Sequence, residues 1–537
     1  EHEERFDREM EADLRWRLSP EQKEYCYQQG PVLLKGSAGS GKTTIALYRL
    51  LRMKGYDEDN QIYVTYTDYL KDYAVRRYQQ LGSPDPDNIP TFITIEELCR
   101  SFIPNDQQKY PPSREFTYEA FRGIPAFGQF DTSLPLDLLW EEIRGVLKGA
   151  YQIVEDGSDH LTRSEYLKIP SKQSLVPEKK RELVYEAYQN YEQWLEDRGY
   201  WDELDLARSA FDRLSRSESS EDHPTFQQLI VDEVQDLTTY HVQLLLQLSE
   251  NPYGLFMTGD AQQTIHPSRF EWKRVKTQLY EHTEELADQN RYFEGPLKEV
   301  DRVSKNFRSP RSIVELANSV AYWRNEVLGE DNGSLDWIRE EGPVCHVEPS
   351  PVSEWTDNDR FSHRLMVIVP NDEIKEEAQD EFGKGRVFTI HEAKGLEAAF
   401  VILWRFFSEE TNTWRHPHRS ADPSDRDWKQ RARYQVSLFT VAVTRARDQL
   451  FLVDEEIPVD WGPLSQTTFE ASTTAHDRLT EVLEVQSQAE DYLRLAQELE
   501  DRELYEQAAA NYFEARHDKD AYRCQGIFAE RNGEYED

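Results

Sequence analysis

The sequence has little positive charge, few cysteines and no long apolar run. Its 63 Lys and Arg residues face 102 Asp and Glu residues, a formal net charge of −39, which argues against a protein that coats polyanions or an anionic membrane surface. The four cysteines are scattered without paired spacing, which argues against a zinc module or a disulfide framework and predicts a reducing, cytoplasmic setting. The longest apolar stretch, around residues 400–403, is far too short to cross a bilayer, so no membrane partner is expected.

The chain nevertheless has the length and apolar content to fold. With 537 residues, of which 38% are hydrophobic and 12% aromatic, it can bury extensive cores and is not a disordered tail. At about 100 to 200 residues per domain, this length predicts three or four domains.

One segment near the N-terminus has the pattern of a phosphate-binding loop. A short apolar run, residues 32–35, precedes a glycine-rich loop, and an apolar-periodic stretch follows it. Glycines let backbone N–H groups approach a polyphosphate, a helix N-terminus adds partial positive charge, a lysine binds the terminal phosphates and a hydroxyl binds magnesium. The predicted ATP-binding residues are Gly36, Gly39, Ser40, Gly41, Lys42, Thr43 and Thr44.

A second segment supplies adjacent carboxylates. Residues 228–231 are predicted to form a buried strand, and Asp232 and Glu233 follow at its C-terminal end, where parallel sheets bind their ligands. We expect Asp232 to hold Mg²⁺ together with Thr43, and Glu233 to act as the base for an attacking water. The two segments together predict an enzyme that hydrolyses ATP with Mg²⁺.

An ordered series of further motifs follows along the chain: LSPEQ at 18–22, TGDAQQTI at 258–265, KNFRS at 305–309, TIHEAKGLE at 389–397 and VAVTRAR at 441–447. In this order, and together with the glycine loop and the carboxylates, they resemble the motifs of the UvrD/Rep-like superfamily 1A helicases over most of residues 18–455. The resemblance implies an α/β fold with two RecA-like P-loop domains, each on a parallel sheet. It also implies a motor that moves 3′ to 5′ along single-stranded DNA.

The resemblance assigns roles at the nucleotide. Gln22 is expected to read the adenine, Phe307 to stack on it in place of the usual Tyr, and Glu397 to bind the ribose. Arg308 and Arg445 are expected to contact the γ-phosphate, where they would neutralise the charge spread over its oxygens in the transition state. Since these two arginines come from the second domain, hydrolysis would require a closed cleft.

The resemblance also predicts a track for the nucleic acid. Gln263 is expected to sense the terminal phosphate and communicate with the strand, and His391 to contact the strand. Residues 64–70 lack the Asn-Lys portion usual in the family, but Tyr66 keeps a ring that can stack on a base. The usual aromatic–arginine pair is also replaced, which leaves Phe270 and Trp272 as candidates for a base-stacking wedge. Each of these three rings can instead pack in a core or at its rim.

We predict four parts along the chain. The first RecA-like domain comprises residues 1–102 and 229–295, and a mainly helical insertion similar to the family's 1B subdomain occupies residues 103–228. The second RecA-like domain occupies residues 296–470. Only about 75 residues separate the motif KNFRS from the strand before the motif TIHEAKGLE, so the 2B subdomain common in relatives is predicted to be absent or vestigial.

The C-terminal segment, residues 480–537, has a different pattern. From Ala489 onward, Ala and Tyr residues lie at close-packing helical positions, and the triplet at 504–506 recurs loosely at 534–536. This offset is near, but below, the tetratricopeptide period of about 34 residues. We predict an α-helical, tetratricopeptide-like segment that offers a surface to a protein partner; a plain helical tail is the alternative.

The predicted function is an ATP-dependent translocase or helicase on single-stranded nucleic acid. Two local excesses of positive charge, at residues 163–181 and 269–276, offer a path for a strand on an acidic protein; scattered solubilising charge is the alternative. DNA is the expected substrate, and RNA stays open because no identified residue reads the 2′-hydroxyl. The rival classes are an RNA or ribonucleoprotein remodelling ATPase and a nucleotide-gated interaction protein acting through its C-terminal helices.

Overall fold

A computed structural model of the chain divides into two compact units, residues 1–37 with 41–303 and residues 38–40 with 304–537. The structure describes residues 18–28, 30–52, 60–81, 90–104, 107–122, 136–150, 161–170, 174, 176, 178–215, 224–250, 252–260, 270–288, 301–328, 334–340, 342–356, 360–408, 426–470 and 472–532. No helix among these residues is long and apolar enough to cross a membrane.

The first unit is built on a six-stranded sheet in which each strand runs parallel to its neighbours. Its strands are β1 (Val32–Gly36), β2 (Gln61–Thr65), β3 (Thr91–Thr94), β4 (Gln228–Val231), β5 (Leu255–Gly259) and β6 (Asp301–Val303). Their order in the sheet is β3-β2-β4-β5-β1-β6. The strand before the glycine loop and the strand before the carboxylates are therefore separated by one strand, β5.

Helices cover this sheet and form the insertion. They are α1 (Pro20–Tyr27), α2 (Lys42–Arg52), α3 (Asp68–Gln80), α4 (Ile95–Phe102), α5 (Tyr118–Arg122), α6 (Leu136–Glu142), α7 (Arg163–Lys168), α8 (Arg181–Arg198), α9 (Glu203–Ser215), α10 (Thr239–Gln247) and α11 (Trp272–Asp288). A π-helical turn, Ile143–Lys148, continues α6.

The sheet has a hydrophobic core on each face because side chains alternate along its strands. Leu33 and Val231 belong to one core, whereas Leu34 and Ile230 belong to the other. The insertion has a separate core, rich in aromatic rings, between helices α5 to α8. Burial on both faces fixes β1 and β4, so the residues that follow them are held at the same edge of the sheet.

The second unit contains a five-stranded parallel sheet with the order β11-β10-β12-β13-β9 and a separate parallel pair, β7-β8. Its strands are β7 (Lys305–Pro310), β8 (Asp336–Arg339), β9 (Val344–Val347), β10 (Leu365–Val369), β11 (Val387–Thr389), β12 (Ala398–Trp404) and β13 (Ala446–Val453). Its helices are α12 (Arg311–Trp323), α13 (Asp372–Phe382), α14 (Ile390–Ala393), α15 (Arg426–Val443), α16 (Gly462–Ser465), α17 (Ser472–Leu483), α18 (Ala489–Asp501), α19 (Tyr505–Glu514) and α20 (Asp518–Asn532).

The two parallel sheets, the helical insertion and the helical C-terminus confirm the predicted α/β fold class. The predicted domain limits stay predictions, and two details bear on them. Strand β6 pairs with β1, so the first sheet includes residues beyond the predicted limit at 295. Within the described part of the interval from 311 to 386, the elements are α12, α13, strands β8 to β10, a π-helical turn (Arg324–Leu328) and a 3₁₀ turn (Val352–Glu354), all of them parts of the second unit.

Candidate functional site

The glycine-rich loop joins β1 to α2, in the predicted order of strand, loop and helix. Gly41, the residue before α2, has φ +83°, a conformation that side chains other than glycine rarely adopt. A Cβ atom at this position would also lie 2.5 Å from Nε2 of Gln22. Glycine therefore lets the loop turn and lets helix α1 approach it, and the predicted adenine reader Gln22 lies directly beside the phosphate loop.

Helix α1 presents Gln22 through a capping box. The Ser19 backbone N–H donates to Oε1 of Gln22 at 2.9 Å, and the Gln22 N–H donates to Oγ of Ser19 at 3.2 Å. The buried Arg49 on α2 donates to the carbonyls of Tyr25 and Gln28, at 2.9 and 2.8 Å, and so fixes the other end of α1. Sequence analysis missed Arg49, because its partners are backbone oxygens that no sequence pattern marks.

The two predicted metal ligands are in contact. Oγ1 of Thr43 donates to Oδ2 of Asp232 at 2.7 Å, and the hydroxyl of Tyr63 donates to the same oxygen at 2.6 Å. Burial, and then the neighbouring Glu233, raise the pKa of Asp232 to about 6. A hydroxyl and a buried carboxylate are hard oxygen ligands of the kind that Mg²⁺ takes, and a carboxylate with a raised pKa favours a nearby cation, so these residues fit the ion.

Glu233, the predicted base, is held in an unusual conformation. Its φ is +54°, and its backbone N–H donates to Oδ1 of Asp232 at 3.0 Å. Nε2 of Gln235 donates to Oε2 of Glu233 at 2.6 Å, while Oε1 of Gln235 accepts the N–H of Asp260 at 2.9 Å. Gln235 thus connects the base to the end of β5, where the motif TGDAQQTI continues. Gln263 of that motif lies outside the described residues.

Lys42 begins helix α2 and is almost completely buried. Its ammonium donates to the carbonyl of Ser37 at 3.3 Å, at the opposite end of the loop. Gly36 ends strand β1, Gly39 has φ +77°, and Ser40 is buried within the loop. Within the first unit, the structure therefore brings Gln22, Gly41, Lys42, Thr43 and Asp232 together around the start of α2.

Within the second unit, Arg308 and Glu397 form an ion pair. Oδ1 of Asn306 accepts the N–H of Arg308 at 2.9 Å within strand β7, and Phe307, between them, is 37% exposed. Arg445 is buried and donates to the carbonyl of Leu396 at 3.3 Å. The residues predicted to bind the γ-phosphate and the ribose thus lie close together in this unit.

His391 lies on the short helix α14, whose start is capped by Thr389 and Glu392. The contact of His391 with the nucleic acid stays a prediction, as do those of the three aromatic candidates.

The three aromatic candidates for the strand track are partly buried against the core of the first unit. The hydroxyl of Tyr66 donates to Oε2 of Glu203 at 2.8 Å, and burial, followed by this carboxylate, raises the pKa of Tyr66 well above its usual value. Phe270 and Trp272 contact each other edge to face, with ring centroids 5.0 Å apart. Sequence analysis did not identify Glu203, which lies in the insertion.

Comparison with known proteins agrees with this geometry. The UvrD/REP helicase N-terminal domain family matches residues 18–287. The chain is 28% identical over 323 residues to TPR and ankyrin repeat-containing protein 1 of Homo sapiens, a match that covers 56% of this chain and 11% of the relative. It is 25% identical over 307 residues to ATP-dependent DNA helicase PcrA of Bacillus subtilis (strain 168), covering 54% of this chain and 37% of that protein.

The chain therefore spans much less than two thirds of either relative. A solved structure of the PRRSV helicase is similar over 79% of this chain and 52% of that one, at 13% identity and a TM-score of 0.29, too low to support any argument. The family match covers half of this chain and includes the loop, the carboxylates and the insertion. On this match, the protein belongs to the UvrD/REP helicase family.

Proposed function

We propose that this chain is an ATP-dependent translocase that moves 3′ to 5′ along single-stranded DNA. The observation that carries the proposal is the direct hydrogen bond between Thr43 of the phosphate loop and Asp232 of the carboxylate pair, at 2.7 Å. This bond supports the proposal because it joins the glycine loop to the carboxylate pair at one edge of a parallel sheet. Membership of a helicase family supports the coupling of this chemistry to a nucleic-acid strand.

In the proposed reaction, Lys42 binds the terminal phosphates, and Thr43 and Asp232 hold Mg²⁺. Bound Mg²⁺ supplies positive charge that stabilises the phosphate oxygens during transfer. Glu233 accepts the proton of the attacking water, and Gln235 keeps its carboxylate in position by donating to Oε2. The left-handed backbone at Glu233 is consistent with a functional position, since such conformations cluster at active sites.

We assign the coupling between hydrolysis and movement to Arg308 and Arg445 of the second unit. Arg308 is ion-paired with Glu397, and Arg445 donates to the carbonyl of Leu396. A γ-phosphate would compete with these partners for both guanidinium groups, so its arrival and loss would rearrange the second unit. This proposal makes hydrolysis depend on residues of both units.

The test is ATPase activity with and without single-stranded DNA. We expect Lys42→Ala and Glu233→Gln each to lower the stimulated rate by at least about 100-fold. Lys42→Ala should also weaken binding of a fluorescent ATP analogue, whereas Glu233→Gln should retain it. Lys71→Ala, which removes a lysine paired with Asp68 and Glu97 on the surface, serves as the control. Normal stimulation in both site variants would refute the assignment.

Direction and substrate are tested on oligonucleotides that carry streptavidin at one end. A motor that moves 3′ to 5′ displaces streptavidin from the 5′ end and leaves it at the 3′ end. RNA of the same sequence is measured in parallel. Displacement from the 3′ end alone would reverse the proposed direction, and stimulation by RNA alone would favour an RNA-remodelling ATPase.

We also propose a reducing, cytoplasmic setting. All four cysteines, which lie within the described residues, are buried as free thiols. Alkylation of the unfolded protein purified without reductant should therefore modify all four. Protection of a pair of them would contradict this proposal.

A further inference from the structure

The C-terminal helices pack on the second unit's sheet domain. Helices α18 and α19, with residues 502–504 between them, form a pair that we call the C-terminal hairpin. Tyr492 on α18 is fully buried, and its hydroxyl donates to the carbonyl of Phe361 at 2.9 Å. The guanidinium groups of Arg360 and Arg386 lie 4.9 and 5.3 Å from the centre of its ring. Two cation–π contacts on a buried ring make this a specific attachment.

The turn of the hairpin contacts the motif TIHEAKGLE. The Arg502 side chain is 8% exposed, and its two terminal nitrogens donate to the carbonyls of Lys394 and Gly395 at 3.4 and 3.1 Å. Arg445, the predicted γ-phosphate residue, donates to the next carbonyl, that of Leu396. Two arginines thus hold three consecutive carbonyls, and only Arg502 comes from outside the helicase motifs.

Helix α19 makes a second contact with the same motif. Nε2 of Gln507, which is 1% exposed, lies 3.2 Å both from the carbonyl of Val387 and from Oε1 of Glu392. The other carboxylate oxygen of Glu392 accepts the N–H of Thr389 at 2.7 Å, and this bond caps the helix that carries His391. Gln507 therefore contacts the side chain that caps α14, the helix whose His391 is predicted to contact the nucleic acid.

We propose that the C-terminal hairpin positions the motif TIHEAKGLE through Arg502 and Gln507. The hairpin would thereby contribute to strand-stimulated ATP hydrolysis. The inference rests on the proposed function, because Glu397, two residues after the carbonyl of Gly395, pairs with Arg308. Residues 394–397 connect α14 to β12, and their backbone is held by arginine donors. Hydrogen bonds from charged donors to a partly buried backbone are stronger than neutral ones, so their loss would let Glu397 shift.

The alternative is that the hairpin only stabilises the second unit. Arg523 on α20 separates the two possibilities. It pairs with Glu500 of α18 and, at 3.2 Å, with Asp520, so it connects the C-terminal helices to one another. Arg523→Ala therefore weakens the C-terminal helices without removing a contact to the motif, and it serves as the matched control for Arg502→Ala.

The experiment measures the strand-stimulated ATPase rate of the full chain carrying Arg502→Ala, Gln507→Ala, Arg502→Lys or Arg523→Ala. We expect Arg502→Ala to lower the stimulated kcat by about tenfold at a temperature well below the thermal midpoints of all four variants, where each of them is folded. Gln507→Ala should show a smaller loss. Arg502→Lys should recover part of the rate, because a lysine can donate to one of the two carbonyls. Arg523→Ala should keep the parent rate.

Hydrogen exchange of the peptide covering residues 387–397 gives a readout that needs no strand. We expect Arg502→Ala to raise its exchange rate about tenfold or more, and Arg523→Ala to leave it unchanged. If a nucleic-acid strand stimulates the parent, and Arg502→Ala has the same ATPase rate and the same exchange rate as the parent, the inference is wrong and the proposed function stands. If no strand stimulates the parent, the proposed function is wrong, and unchanged exchange in Arg502→Ala would overturn the inference as well.

Discussion

Tyr63 and Gln235 lie beside the two carboxylates of the candidate site, although sequence analysis gave neither of them a role. Tyr63 donates to Asp232, and Gln235 connects Glu233 to the amide of Asp260. Each bond orients a carboxylate that the proposed mechanism needs in one position. At the scale of single residues, the carboxylates of the candidate site are oriented by neighbours that have no assigned role in the proposed chemistry.

His241 on α10 is a buried histidine a few residues after the carboxylates. Its Nδ1 accepts the N–H of Thr238 at 3.3 Å, so the neutral ring carries its proton on Nε2. Burial lowers its pKa from the usual 6.5 to about 4, against an opposing contribution from Glu203. Protonation of Nδ1 would remove its hydrogen bond with the N–H of Thr238 and so disrupt the start of α10.

This pKa predicts a pH-dependent stability. Because the folded pKa lies below the unfolded one, the unfolded chain binds more protons between pH 6.5 and pH 4, and the stabilisation by neutral His241 is lost as the pH falls. We expect the free energy of unfolding of the parent to fall between pH 7 and pH 5 by about 2 kcal/mol more than that of His241→Gln. Denaturant unfolding at both pH values measures the difference.

The control is His476→Gln, which changes an exposed histidine. Its pH dependence should match that of the parent. Asp232 titrates in the same range with the opposite sign, since its pKa is raised by burial and by Glu233. The prediction therefore concerns the difference between His241→Gln and the parent. Equal slopes for these two proteins would contradict it.

The structure brings Gln22 beside the glycine loop and Thr43 beside Asp232, as the spacing within the motifs led us to expect, and the roles of these residues stay predictions. The sequence could not predict the partner of Tyr66. The hydroxyl of Tyr66 bonds to Glu203, which is distant along the chain and lies in the insertion. Only the folded insertion brings the two together, so the environment of this ring depends on a contact that no local pattern encodes.

At the scale of elements, a buried lysine connects two parts of the insertion. Lys148 at the end of the π-helical turn is fully buried and lies 2.6, 2.7 and 2.9 Å from Asp202, Asp205 and Glu192. Burial disfavours its charge, but the three carboxylates outweigh this effect and raise its pKa. These carboxylates have the spacing of a metal site, and the ammonium of Lys148 occupies their centre.

Replacement of this lysine should be costly. Lys148→Met keeps the apolar stem but leaves three acidic groups without their shared cation. We expect the free energy of unfolding to fall by about 3 to 5 kcal/mol. Lys71→Met, which removes a lysine from two ion pairs at the surface, should cost about 1 kcal/mol or less. Denaturant unfolding gives both values. Equal losses in the two variants would show that the buried cluster contributes no more to stability than the surface ion pairs.

Elements were predictable where their signal is local. The order of strand, glycine loop and helix at residues 32–52 follows from the apolar runs and the glycines between them. The position of the C-terminal hairpin was not predictable. Arg502 and Gln507 bind backbone carbonyls of residues 387–395, and a carbonyl has the same chemistry in every sequence. The sequence left open whether this helical segment packs on the rest of the chain, and these contacts show that it packs on the second unit.

At the scale of the whole molecule, the charge of −39 limits where a strand can bind. In the first local excess of positive charge, at residues 163–181, the structure leaves fewer basic side chains available to a nucleic acid than the sequence count suggests. Arg181 is buried and donates to the carbonyls of Leu167 and Ile169, and Arg163 is ion-paired with Glu182. Lys168 and Lys179 remain exposed there. Two of the basic residues counted in the sequence, Arg163 and Arg181, are therefore engaged in contacts within the insertion.

This distribution predicts a weak dependence of strand affinity on salt. Binding to a single strand loses affinity with a log–log slope of about −0.7 for each phosphate neutralised. If three or four exposed lysines contact phosphates, the slope should lie at about −2 to −3. Fluorescence anisotropy of a labelled oligonucleotide over a series of salt concentrations measures it.

Lys273, exposed at the start of α11 in the second charge excess, tests the position of the track. Lys273→Ala should make the slope shallower by about 0.7, because one phosphate contact is lost. Lys384→Ala removes an equally basic residue that is paired with Glu506 and should leave the slope unchanged. A parent slope of about −6 or steeper would require more cations than the described residues of these two segments expose, and the proposed path of the nucleic-acid strand would then be wrong.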